Sequence, residues 1–263
     1  MTDQIRFDDG ASYERYMGVW SQLVGAAFLE WLALPTGRRW LDVGCGNGAF
    51  TELLASHGAP AAVHGVDPSA AQLAFAHKRP ALRDADLREG DAMALPYPDD
   101  AFDAAVMPLV IFFVPDPAQG AAEMVRVVRA GGVVAAYAWD MHGGGFPYHM
   151  VQREMRELGA ALPVPPSPEA SRCDMLEALW REAGLIDVEL HEFTVQRTFA
   201  SFDEFWAIVV GWAAVGETIA TMSPEAIAQL TARLRVSLPA AADGSISVSA
   251  RANAVRGRVP RAG

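Results

Sequence analysis

The sequence predicts an α/β fold, a mostly parallel sheet carrying helices on both faces. Three observations lead there. Between Arg38 and Trp139, short apolar runs alternate with segments whose apolar residues recur at helical spacing. Glycine, proline and capping residues stand where the period changes. The stretch WLDVGCGNGAF, Trp40 to Phe50, runs from an apolar strand end into three glycines within five residues. Strands that alternate with helices need right-handed crossovers, and these build a parallel sheet buried on both sides.

Apolar residues at 13, 16, 17, 20, 23, 24, 27, 28 and 31 predict a helix from Tyr13 to Trp31 with a broad apolar face. Arg38 to Val43 reads as the first strand, and Ala49 to His57 as a helix stopped by Gly58. Ala61 to Val66 is the second strand, followed by a helix from Ser69 to Lys78 that ends before Pro80. Leu87 to Glu89 is a short third strand and Phe102 to Pro108 the fourth. Asp116 then caps a helix that Pro117 begins, and Gly131 and Gly132 are expected to stop it. Val133 to Trp139 makes the fifth strand.

The second half is less regular. PVPPSP, Pro163 to Pro168, is a stiff loop. Ser171 and Asp174 read as a capping box opening a helix that Gly184 ends. Asp187 to Phe199 is a long sixth strand. Ser201 and Glu204 open SFDEFWAIVVGWAAV, a helix apolar nearly all round, and Ser223 and Pro224 open another. After the Asp243-Gly244 turn, SISVSARANAVRGRV is the last strand.

At 263 residues, 51 % hydrophobic and 20 % charged, the chain has ample material for a core. Its net charge of −11 disfavours a nucleic-acid partner, because phosphate neutralisation needs a basic face. Arg251, Arg256, Arg258 and Arg261 form the one basic cluster, which reads equally as a solvated strand face. Two cysteines, Cys45 and Cys173, make neither a disulfide framework nor a four-thiolate metal site. The histidines lack the spacing of a metal set, so no metal is expected. The longest apolar run, Ala104 to Pro115, is too short to span a bilayer, and MTDQIRFDDG is unlike a secretory leader. A cytoplasmic protein without a membrane partner is expected; the oligomeric state is not specified.

Gly44, Gly46 and Gly48 followed by Ala49 also pass as G-x-G-x-x-A, so an NAD-dependent oxidoreductase stands as one reading. Asp67 ends the second strand about twenty residues on, where a carboxylate accepts both ribose hydroxyls in either reading. Asp42 separates the two. A carboxylate ~4–6 Å from a pyrophosphate costs a few kcal/mol at an effective dielectric of about 20. An ammonium or sulfonium in that place is attracted by a similar amount. S-adenosylmethionine meets both demands, with an adenosine for Asp67 and a cationic amino-acid end for Asp42. The plain alternative has Asp42 capping local amides. In the loop after the third strand, Asp91 is placed to accept from an adenine amino group and the Ala92 amide to donate to a ring nitrogen. Alone, Asp91 reads as a turn residue.

LDVGCGNG, VHGVDPS, EGDAMALPYPDDAFDAAV and EMVRVVRAGG resemble, in order and spacing, class I S-adenosylmethionine-dependent methyltransferases. Within these the chain looks most like the small-molecule and quinone-biosynthesis C-methyltransferase type. The resemblance runs across Arg38 to Trp139 and extends to the strand pair at the C-terminus. It implies a Rossmann-like seven-stranded sheet whose last strand is antiparallel. It implies cofactor contacts at Asp42, Gly44, Cys45, Gly46, Asp67, Pro68, Asp91, Ala92 and Met107. It also implies that YERYMGVW folds over the methionine end of the cofactor, with Tyr16 and Trp20 as candidates beside a purely core role. One methyltransferase domain over 1–263 is then expected. It comprises a helical lid at 11–34, a cofactor-binding core at 38–139, the rest of the sheet at 140–200 and 240–260, and a helical insertion at 201–239.

Methyl transfer is an in-line displacement for which the protein supplies alignment and a dry site, with a general base where the acceptor must lose a proton. His149, beside Tyr148 in WDMHGGGFPYHM, is the candidate base, against the plainer reading of an exposed loop histidine. His142 lies in the same loop; His57, His64 and His77 read as structural and His191 as surface. Met107 and Leu109 in MPLV offer no side-chain acceptor for an amino group, so methylation at oxygen or carbon is expected. LVIFF and FWAIVVGW suggest a small apolar acceptor, though both read equally as core. Ser201 to Val215 is expected to pack with the N-terminal helix as a lid, with Phe205, Trp206, Val209 and Trp212 lining or backing the acceptor pocket. A dimer interface is the alternative for that helix. A cofactor-binding domain without catalysis stays open.

Overall fold

A computed structural model describes residues 14–261. Its strands are β1 (Arg39–Val43), β2 (Ala62–Asp67), β3 (Asp86–Glu89), β4 (Phe102–Pro108), β5 (Val128–Trp139), β6 (Ile186–Phe199) and β7 (Ile246–Arg258). They form one seven-stranded sheet in the order β3-β2-β1-β4-β5-β7-β6. The pairs from β3 to β5 are parallel, and β7 runs antiparallel to both β5 and β6. This is the expected Rossmann-like sheet with its reversed last strand. Because β2 and β4 lie on opposite sides of β1, the connections leaving β1 and β4 diverge at the carboxyl edge and open a crevice there.

The central strands read as continuous apolar runs because both faces are covered. Ala104 to Met107 in β4 and Val134 to Ala138 in β5 are all fully buried. At the edge, β6 is mostly exposed.

One turn of π-helix at Glu14–Gly18 leads into α1 (Val19–Leu32). Its buried stripe, Trp20, Val24, Phe28 and Leu32, recurs every four residues and meets the sheet, with Phe28 4.8 Å from the Tyr137 ring. The expected start at Tyr13, and residues 11–13 of the expected lid, lie outside the described residues. The next helices are α2 (Ala49–Ser56), α3 (Ala70–Ala76) and α4 (Pro117–Val127). Ser69 and Asp116 cap the last two through the amides of Gln72 and Gln119.

Three departures from the sequence reading have physical reasons. The helix begun by Pro117 stops at Val127, and Gly131 and Gly132 belong to β5, where the register against β4 shifts. Gly131 has φ +76°, and a Cβ on Gly132 would stand 2.4 Å from Val128 Cγ1, so these glycines make a bulge rather than a helix stop. Ser171 does not cap α6 (Cys173–Glu182), because it is buried and its hydroxyl donates to the Pro168 carbonyl at 2.7 Å. The apolar helix after Ser201 is two helices, α7 (Phe202–Val210) and α8 (Ala213–Ala220), parted at Gly211 and an extended Trp212. The sequence reading also lacks α5 (His149–Glu157), whose start is obscured by the glycines before it. Ser201 caps α7 through the Glu204 amide, and α9 (Pro224–Ser237) is capped by Ser223, both as expected. Among the described residues no helix is long and apolar enough to cross a membrane.

Candidate functional site

From β1 the chain enters Gly44-Cys45-Gly46-Asn47-Gly48 with φ of +75°, +51° and +81° at the three glycines. Side-chain-bearing residues avoid that region, which is why the turn is spelled with glycine. Gly44 and Cys45 donate to the Val66 carbonyl at 2.7 and 3.0 Å, tying the turn to β2. At Gly44 a Cβ would lie 2.4 Å from Val110 Cγ2, so the turn also packs against the segment after β4. At Gly46 a Cβ would meet nothing nearer than 4.0 Å. The turn borders a cavity of about 180 Å³.

Asp42, Gly44, Cys45, Gly46, Asp67 and Pro68 all line that cavity. Asp42 is 1 % exposed. Its Oδ2 accepts from the Thr51 hydroxyl at 2.7 Å, while Oδ1 has no hydrogen-bond partner among the described residues. Burial pushes its pKa up to about 7; the Thr51 hydrogen bond pulls down, and the Asp67 charge adds a further upward push. A buried oxygen left unmatched costs ~1–3 kcal/mol, and an ammonium arriving from the cavity would supply the missing donor. Asp67 accepts from the Gly46 amide at 2.9 Å on one oxygen and from the Ser69 amide at 2.8 Å on the other. Burial raises its pKa and those two amides lower it. Each oxygen retains acceptor capacity for a hydroxyl pair. An unmatched oxygen on Asp42 and the spare acceptor capacity of Asp67, beside an open glycine turn, fit the amino-acid and adenosine ends of S-adenosylmethionine.

Asp91, Ala92 and Met107 are not brought into this lining. Asp91 is exposed and closes a turn by accepting from the Met93 amide at 2.8 Å. Met107 is fully buried in β4, with its Cε near Gly120 of α4. Ser21, Phe50, Gln72 and Tyr137 line the cavity without having been singled out. Ser21 carries a signal that was available, a polar residue on the apolar stripe of a helix.

A second cavity, of about 280 Å³, adjoins the first, for Leu109 and Phe113 line both. Leu109 has φ +61°, a left-handed conformation costing ~1–3 kcal/mol for a branched side chain. Its amide donates to the Tyr137 carbonyl at 2.7 Å. A strained residue thus stands at the shared wall, and nothing in MPLV announces it.

Tyr16 lines the second cavity and stacks between Tyr148, at 4.1 Å and 12°, and Trp212, at 4.8 Å and 7°. The Tyr148 hydroxyl donates to the Tyr16 carbonyl at 2.8 Å and accepts from Trp20 Nε1 at 3.2 Å. Trp20 itself is fully buried. The N-terminal segment, the approach to α5 and the α7–α8 joint therefore meet in one aromatic stack. Of the four residues expected around the acceptor pocket from Ser201 to Val215, Trp212 lines it. Phe205, Trp206 and Val209 are not in its lining; Phe205 packs behind Tyr148 at 6.0 Å.

Burial pushes Tyr148 up to about 12 and Tyr16 well above the usual phenol value, so both stay protonated at neutral pH. His149 lines the second cavity as the first residue of α5, half-buried rather than on an exposed loop. Burial, with Arg153 and Arg156, lowers its pKa against a weaker opposing pull from Asp140. A neutral imidazole there is able to take a proton. His142 lines the same cavity but pairs with Glu169 at 3.2 Å. Among the described residues no cluster of His, Cys, Asp and Glu is arranged to hold a metal.

Residues 41–136 match the family of the methyltransferase domain. The chain is similar to a 2-phytyl-1,4-naphtoquinone methyltransferase of Synechococcus elongatus, 35 % identical over 150 residues, 55 % of this chain and 62 % of that one. That match spans less than two thirds of the relative's length. It is also similar to a demethylmenaquinone methyltransferase of Bacillus licheniformis, 32 % identical over 181 residues, 63 % of this chain and 78 % of that one. Among solved structures, the phosphoethanolamine N-methyltransferase 2 of Haemonchus contortus superposes with a TM-score of 0.61, covering 98 % of this chain and 59 % of that one. At 20 % identity this likeness shows the fold alone.

Proposed function

The chain belongs to the class I S-adenosylmethionine-dependent methyltransferases, and from that membership we propose that it methylates a small, apolar, quinone-type acceptor at oxygen or carbon. One observation carries the reading: two cavities, one lined by Asp42 and Asp67 and one lined mainly by apolar side chains, share the wall made by Leu109 and Phe113. Donor and acceptor can then occupy adjoining spaces that meet at Leu109 and Phe113.

When bound, S-adenosylmethionine supplies an activated methyl group on a sulfonium. Asp67 takes the ribose hydroxyls, Asp42 the ammonium, and Gly44 to Gly46, with Pro68, allow close approach of the backbone. Asp91, Ala92 and Met107 are left out of the proposed set. The Tyr16 stack closes over the acceptor side and excludes water, which strengthens every charge interaction inside. His149, neutral at working pH, takes the proton of an acceptor that must lose one. The two named quinone methyltransferases support the acceptor class. A cytoplasmic setting belongs to the same proposal and is supported by two cysteines that remain free thiols.

Calorimetry with S-adenosylmethionine, S-adenosylhomocysteine and NAD tests the cofactor assignment; the first two should bind at micromolar levels and NAD should not. Mass spectrometry of hydroquinone and naphthol substrates incubated with S-adenosylmethionine then tests turnover. Cofactor binding with no methylated product from any of them would leave a binding domain and remove the catalytic reading.

A further inference from the structure

The wall of the second cavity is not uniformly apolar. His149, Gln152 and Arg156 all line it, and their spacing of three and four sets them along one face of α5. That face presents an imidazole, a carboxamide and a guanidinium. No aspartate or glutamate lines the cavity among the described residues, although the chain carries a net charge of −11. The neighbouring carboxylates are already engaged. Glu154 pairs with Arg153 at 2.8 Å, Glu157 with Arg233 at 3.1 Å, and Glu169 with His142 and Arg172, both at 3.2 Å. Asp140 is held by Arg251. Arg156 has no ion pair or side-chain hydrogen bond among the described residues.

The same lining holds a second unmatched donor. Trp139 is 1 % exposed, and its Nε1 has no hydrogen-bond partner among the described residues. A buried indole N–H normally finds an acceptor, and one that lacks it is satisfied by whatever oxygen enters beside it. Phe112, Phe146 and Leu162 supply apolar surface around these donors.

Resting on the methyltransferase reading, we infer that the acceptor is held as an oxyanion, an apolar ring body bearing an acidic oxygen that Arg156 pairs with and that Trp139 Nε1 helps orient. The acidic oxygen is a carboxylate or an ionised phenol; both offer the same charge to the guanidinium, which binds such oxygens through a planar fork of donors. The cavity carries no carboxylate to repel it. Arg156 is an exposed residue, so its contribution is that of a partly screened pair.

Two matched pairs of probes test this by calorimetry at about pH 7.5, each with and without S-adenosylhomocysteine: 2-naphthoate against naphthalene-2-carboxamide, and 2,4-dinitro-1-naphtholate against its methyl ether. At least one anion should bind about tenfold more tightly than its neutral counterpart, the size of a partly screened charge-assisted pair. The pair that shows the preference names the acidic group. Arg156→Gln should abolish the preference, chiefly by weakening the anion, Arg156→Lys should restore part of it, and Trp139→Phe should weaken the anion more than its neutral counterpart without abolishing the preference. Equal binding within both pairs, or a preference that survives Arg156→Gln, overturns the inference. Anion preference without S-adenosylhomocysteine binding would instead remove the cofactor reading and leave the cavity's selectivity standing.

Discussion

The Thr51 hydroxyl donates to Asp42 Oδ2 across 2.7 Å and leaves the other oxygen of this buried carboxyl unmatched. With burial holding its pKa at about 7, Asp42 keeps a proton in the folded chain that the unfolded chain has released by the ordinary carboxylate range. Its contribution to stability is therefore present at acid pH and is lost as pH rises through the window from about 4 to 7. His149, lowered by burial, acts in the opposite sense below its ordinary value, so the Asp42 effect is read as a difference. Without ligand, Asp42→Asn should gain on the wild type as pH rises, by about 1–3 kcal/mol at neutral pH. S-adenosylmethionine affinity of the wild type should rise between about pH 6 and 7.5, while that of the variant stays low and flat. Denaturant melts and calorimetry across that range decide it; a constant stability difference would mean that Asp42 does not titrate there.

Asp67 holds two amides at once, Gly46 at 2.9 Å and Ser69 at 2.8 Å. Asp67→Ala should cut S-adenosylmethionine affinity by ~10- to 100-fold through lost charge-assisted hydrogen bonds. Both amides also lose their acceptor, so the ligand-free melting temperature should fall, by about 2–4 °C per kcal/mol in a chain of this size. From sequence alone only the affinity loss is expected, because the structural half of the role is visible only once the glycine turn is seen folded onto β2. Normal binding by the variant would place the ribose elsewhere.

The first four strands and the glycine turn were legible because period, caps and glycines agreed along most of Arg38 to Pro108. Agreement failed where a residue's local preference and its tertiary place diverged. Gly131 and Gly132 look like a helix stop, yet they form a bulge against β4. Asp91 reads as a third cofactor acid, and in the fold it is exposed, accepts from the Met93 amide and does not line the cavity that Asp42 and Asp67 share. Ser171 has the spacing of a cap, yet burial turns its hydroxyl inward. Leu109 gives no signal at all, since a left-handed leucine is imposed by its surroundings and not by its own propensity.

Gly44 is fixed by two independent constraints, φ +75° and the Val110 methyls 2.4 and 2.6 Å from where a Cβ would stand. Gly44→Ala should destabilise the protein by about 1–3 kcal/mol and weaken the cofactor with it. Adding Val110→Ala should recover only the steric share, leaving the backbone share in place. Full recovery of the melting temperature in the double variant would mean that the φ angle costs nothing.

Tyr16, clamped between Tyr148 and Trp212, is the joint through which the helices after Ser201 are coupled to the N-terminal segment. Each stacked pair contributes ~0.5–1.5 kcal/mol beyond its buried area, enough to hold a closed arrangement that ligand can bias. The apolar side of α7 finds its cover inside the chain, with Phe205 and Val209 both fully buried, so a second copy is not needed to shield them. A lid should therefore gain hydrogen-exchange protection from Phe202 to Val215 when S-adenosylhomocysteine is added, at any protein concentration. Tyr16→Ala should abolish that gain and leave β1 to β5 as protected as before. Protection that follows protein concentration and ignores the ligand would make the segment an interface between copies, and the acceptor side would then be closed by something other than the Tyr16 stack.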